Sequence, residues 1–225
     1  MGAAYEPARR YAPEGPPGDG LHDFSSAGIG LAIGLPLGAV LTITSKGHGL
    51  ESPRVNRVLG AVVNMGRSFP SLILIILLLP LSRLVVGTTL GPTAALVPLS
   101  VEMAPFIARI TENAFKEVDK GKIEAALAMG TGPWAMVCKV LVPEAMPSLV
   151  RGTTLILIST LGLTAIAGCI GAGGLGSLAI RYGYQRFRTD IMFATVSLLI
   201  VLVSAIQLTG NQVAKRIGRR RHVYE

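Results

Sequence analysis

Residues 191–210 read Ile-Met-Phe-Ala-Thr-Val-Ser-Leu-Leu-Ile-Val-Leu-Val-Ser-Ala-Ile-Gln-Leu-Thr-Gly, a run without a single charged side chain. Wound as a helix at ~1.5 Å per residue, such a run is roughly as long as the hydrocarbon core of a bilayer is thick. No water is available there, so the backbone must satisfy its own hydrogen bonds, which leaves a helix or a closed barrel. Unbroken apolar content, rather than strict alternation, selects the helix. Comparable stretches cover residues 25–44, 58–80, 91–110 and 147–170. The chain is therefore expected to be an all-α integral membrane protein with about five transmembrane helices. Composition agrees, since 50% of residues are hydrophobic, only 15% are charged and mean hydropathy is +0.55. A soluble domain of this size needs more charge to cover its surface.

Around the spans, residues 1–24 are rich in Pro, Gly and charge, lack the apolar core of a signal peptide, and are expected to be a disordered or atypical tail. Its abrupt junction with the first span points to a truncated or mis-called start. Residues 25–214 form the membrane domain, and residues 215–225 a basic tail. The net charge of +8 does not imply a nucleic-acid partner, because the cations sit in short loops and in the tail. The positive-inside effect explains that placement. With an odd number of spans, the loop at 45–57, the polar stretch after the third span and the C-terminal tail share one side and hold twelve Lys/Arg, against six on the other. That side is expected to be cytoplasmic. Cys138 and Cys169 fall on opposite sides of a span and have no metal or disulfide pattern.

Within the spans, Gly30, Gly34 and Gly38 recur every fourth residue. That overlapping GxxxG pattern is expected to let another helix backbone approach closely. Pro36 is expected to kink this first helix, which membrane helices tolerate. Ionisable residues at membrane depth are costly and so mark function by default. Arg67 fits either an interfacial anchor that snorkels or a helix–helix contact. Glu102, in the middle of the third span, can line a polar path, pair with an arginine, or be neutral. Arg109 and Arg151 lie near span ends and read as anchors.

A polar island separates the third and fourth spans. Residues 111–129 are good helix formers, so the third helix is expected to run on past the membrane, with a bend at Gly121. Ile123, Ala126 and Leu127 share a face, while Lys120, Lys122 and Glu124 point elsewhere. Gly130 suits a left-handed helix end, Pro133 suits a fresh helical start, and Trp134 suits the membrane–water boundary. Pro143 is expected to stop that second helix. A connecting loop needs far fewer residues than this, and a docking knob accounts for the length.

Two nucleotide-like patterns fail in context. Gly171-Ala-Gly-Gly-Leu-Gly176 has the letters of a dinucleotide fingerprint but no strand before it and no βαβ unit around it. The stretch from Gly60 to Ser68 has one residue too many for a P-loop and carries Arg67 in place of the required lysine. No paired carboxylates, metal-spaced cluster or nucleophile–base set is present, so no catalytic site, metal or cofactor is expected. Any ATP must be used by a partner.

The island resembles the coupling loop of ATP-binding-cassette importer permeases. Glu124, Ala125, Ala126, Gly130 and Pro143 match that pattern at its spacing, with Val140 and Val142 as aliphatic replacements. Gly34-Leu-Pro-Leu-Gly38, Arg67-Ser-Phe-Pro70, Ala104-Pro-Phe-Ile-Ala-Arg109 and Tyr182-Gly-Tyr184 extend the likeness to the D-/L-methionine type of permease, over roughly residues 25–216. Two departures stand out: the apolar lead-in to the first helix is missing, and Glu102 occupies a place where that pattern has a small residue. The resemblance implies the type I importer permease fold, with a coupling helix at Glu124–Pro143. It also implies a homodimer, separate ATPase subunits inside and a substrate-binding protein outside, with methionine as cargo. A permease for another solute, and a stand-alone channel or ion-driven carrier using Glu102, are the rival readings.

Overall fold

A computed structural model describes residues 19–168, 171 and 173–220. The stretch before residue 19, Cys169 and residues 221–225 lie outside the described residues. All regular structure within them is helical: α1 Asp19–Ile43, α2 Pro53–Ser68, α3 Ser71–Val86, α4 Pro92–Lys116, α5 Lys120–Ala128, α6 Pro133–Ala167, the short α7 Gly174–Leu178 continued by a π-helical turn over Ala179–Tyr184, and α8 Thr189–Arg220. Four of these (α1, α4, α6 and α8) are long and apolar enough to cross a bilayer singly, and α2 with α3 makes a fifth span if the bent pair crosses as one.

The helix packing is organised around α4, which contacts α1, α2, α3 and α6. Against α1 the approach is backbone-close. A Cβ at Gly34 would stand 2.7 Å from the Ala104 carbonyl oxygen, and one at Gly38 2.6 Å from that of Ala108. Gly30 faces Met103 on the same seam. Small residues here replace the hydrophobic drive that lipid cannot supply. The outermost helix, α8, packs on α6, while the apolar side chains along Phe193–Leu208 stay largely bare.

Three boundaries differ from the sequence expectation. The helix α1 opens at Asp19, inside the expected tail, while the span itself runs Ser25–Ile43 as expected, because a helix can begin on polar residues that hydropathy does not count. The expected second span is two helices meeting at 103°. Phe69 precedes a proline, which disfavours helical backbone, and it is extended at φ −75°, ψ 135°. Finally, Pro143 does not stop a helix: α6 runs straight through it. Pro143 has no N–H and its ring crowds the carbonyl of Lys139. The chain accommodates both by widening into a π turn over Met136–Leu141, after which the Val142 N–H reaches back to Val137 O.

Candidate functional site

The end of the bundle where α1, α4 and α6 converge carries α5 as a small shelf. The third span does continue to Lys116, but the break falls at Glu117–Asp119 and not at Gly121. The Asp119 carboxylate accepts the Lys122 N–H at 3.2 Å and caps a new helix there. Gly121 lies inside the first turn of α5, where a Cβ would meet that capping carboxylate at 3.0 Å. The other end closes in a Schellman arrangement. Gly130 is left-handed at φ +75°, its N–H donates to Leu127 O at 2.9 Å, and the Thr131 N–H donates to Ala126 O at 3.1 Å.

One face of α5 is glued down. Ile123 and Ala126 are buried in a cluster with Ala39 and Ile43 of α1, Ala114 and Phe115 of α4, and Met136, Leu141 and Ala145 of α6. Leu127 and Val140 pack against its edge. Ion pairing adds to the seat: Lys122 Nζ donates to Glu144 Oε2 at 2.5 Å, and the Ser148 hydroxyl donates to Glu117. The opposite face carries Glu124, Ala125, Ala128, Met129 and Gly130, all exposed. Thus the expected set splits. Glu124, Ala125 and Gly130 face out, Ala126 anchors the helix, and Val140 and Pro143 belong to the π turn and start of α6 that support it. Met129, 80% exposed, adds an apolar side chain to that face that the sequence pattern did not single out. An apolar side chain next to a helix-terminating glycine is the signal that could have found it.

Behind the shelf, Glu112 is buried and holds two cations, Arg109 Nη1 at 2.5 Å and Lys116 Nζ at 2.6 Å. Arg109 Nη2 also donates to Asn64 Oδ1 at 2.6 Å, which ties α2 to α4. Arg109 is therefore a cross-helix tie.

A second feature opens between α2, α4 and α6. It is a cleft of about 530 Å³ lined by Arg67, Phe69, Glu102, Phe106, Ser159 and Leu163, among others. The structure thus brings Arg67 and Glu102 to the same space without pairing them. The Ser71 hydroxyl donates to Glu102 Oε1, and Glu102 Oε2 is buried with no partner. Neither nucleotide-like pattern is in a phosphate-binding context: Gly60–Ser68 is regular helix within α2, and no strand precedes Gly171 among the described residues.

A model of the binding-protein-dependent transport system inner membrane components matches residues 34–223. The chain belongs to that family. Among similar family members, the probable D-methionine transport system permease protein MetI of Vibrio cholerae is 46% identical over 192 residues, 85% of each chain. The methionine import system permease protein MetP of Bacillus subtilis is 48% identical over 181 residues, 80% of this chain and 82% of that one. A solved structure of the MetNI methionine ABC transporter in inward-facing conformations superposes with a TM-score of 0.85 at 42% identity, covering 88% of this permease and 92% of that chain. An amino acid ABC transporter solved with histidines shares the fold, with a TM-score of 0.64 at 21% identity.

Proposed function

We propose that this chain is the membrane-embedded permease subunit of an ATP-driven methionine importer in the cell (inner) membrane. A separate ATPase docks on the exposed face of α5, and a substrate-binding protein delivers methionine from the other side. The observation that carries the reading is the shelf itself. A helix capped at both ends and cemented to α1, α4 and α6 moves as one piece with them, yet offers a face that none of the described residues covers. A partner that changes shape with ATP can push on such a helix and tilt the spans as rigid bodies. This requires contacts that differ between the two states, and a docked helix supplies them. Relatives named for methionine transport across four-fifths of the chain support the cargo. The side bearing α5 is cytoplasmic in this reading, and with it the C-terminus. Two copies assemble with the pathway between them.

The test is uptake of labelled D- and L-methionine by vesicles holding the permease with its ATPase and binding protein, in competition with a panel of amino acids. Uptake is expected to need ATP and the binding protein and to be competed by methionine. Transport by the purified chain alone, without any ATPase, would overturn the reading in favour of a carrier built on Glu102.

A further inference from the structure

The cleft between α2, α4 and α6 leaves two opposite charges unused. Arg67 makes no hydrogen bond or ion pair among the described residues, and Glu102 keeps one carboxylate oxygen buried and unpartnered. Elsewhere the chain does pair its ions, as Glu112 shows with Arg109 and Lys116. Glu102 lies ten residues into α4, so ~15 Å of helix separates it from the Pro92 end and places it near mid-bilayer. Desolvating a carboxylate there is costly unless something compensates it. The cleft also sits beside the α2–α3 break. Irregular backbone at membrane depth is tolerated where it lines a cavity, and interrupted helices of this kind form substrate sites in other transporter folds.

We propose that this cleft is a transit site for a free α-amino acid, with the Arg67 guanidinium taking its carboxylate and Glu102 its ammonium group. The fork of a guanidinium matches a carboxylate in two parallel hydrogen bonds, and Glu102 Oε2 is an acceptor awaiting a donor. Beside the charged pair, Phe69, Met103, Phe106 and Leu163 form an apolar wall. A thioether side chain suits it, since sulfur packs favourably against aromatic rings. At about 530 Å³ the cleft falls within the usual range of small-molecule sites. This assignment rests on the permease reading and adds to it the groups that meet the cargo inside the membrane.

Occupancy of the cleft can be read directly. In the assembled complex, with Cys138→Ser and Cys169→Ser as background, Ser159→Cys places one thiol in the cleft wall for labelling by a small maleimide. Millimolar L-methionine is expected to slow labelling several-fold. Methioninamide, which lacks the carboxylate, and N-acetylmethionine, which lacks the ammonium, are expected to leave it unchanged. Arg67→Gln and Glu102→Gln should each abolish protection, while Arg67→Lys and Glu102→Asp retain part of it. Should a neutralised variant fail to assemble, the comparison of the three compounds on the parent complex still decides. Protection by all three alike, or by none, overturns the assignment. Methionine uptake by a complex that shows no protection would remove the cleft and leave the importer standing. Protection without uptake would support the cleft while removing the methionine importer.

Discussion

Gly130 carries two demands at once: a left-handed backbone and a free N–H for Leu127 O. An alanine there meets only the second, at a cost of about 1 kcal/mol, whereas proline meets neither. Gly130→Pro is therefore expected to unravel the end of α5 and abolish uptake while the protein still inserts, as checked by uptake against membrane-fraction immunoblot. Glu124→Lys reverses the charge on the exposed face without touching the buried one. It should release the ATPase on co-purification and leave the thermal midpoint of the permease unchanged. Glu112→Gln removes the shared partner of Arg109 and Lys116, an interaction worth about 2 kcal/mol, and a lower unfolding temperature in detergent would register the loss. Gly130 was readable from sequence because only glycine commonly adopts that backbone. The tie from Arg109 to Asn64 was not readable, since it joins residues brought together by the packing of α2 on α4. The i, i+3, i+7 spacing of Arg109, Glu112 and Lys116, which sets all three on one helix face, was visible in the sequence.

Among the helices, the seating of α5 and the course of α6 decide how motion is passed on. Truncating Ile123 to alanine should cost about 2–4 kcal/mol of local packing and loosen the shelf. Amide exchange across Lys120–Ala128 should then accelerate while the exchange of α8 stays as it is. Pro143→Ala restores the missing N–H and removes the clash that widens the turn before it. Without that turn α6 is expected to wind regularly, rotating Trp134 and Met136 relative to α5, and uptake per ATP hydrolysed should fall. The five apolar stretches were legible because hydropathy records burial in lipid directly. Their ends were less so. A proline marks a disturbance without saying whether the chain breaks, as it does at Phe69–Pro70, or bulges and continues, as it does at Pro143. That choice depends on neighbours that are distant in sequence.

For the molecule as a whole, α4 contacts four other helices while α8 rests on α6 and leaves its outer side bare. The exposed apolar lengths of α2, α3 and α8 are broad enough for both lipid and a second copy. Light scattering of the purified complex is expected to return two permease chains per assembly. The general architecture followed from sequence, but the hub did not: α4 is the least apolar of the four single spans, and low hydropathy alone does not say how many neighbours a helix has. The glycine seam between α1 and α4 has one further consequence, which concerns the order in which the protein is made. A chain is synthesised from its N-terminus, so α1, α2 and α3 enter the membrane before the helix that unites them exists. Until α4 follows, the face of α1 bearing Gly34 and Gly38 has only lipid against it, and Asn64 has no arginine to bind. Nascent chains ending at Gly91 should therefore remain open to protease and chaperone, and those extended past Lys120 should close. The late arrival of α4 makes the first half of this protein a client of its own second half.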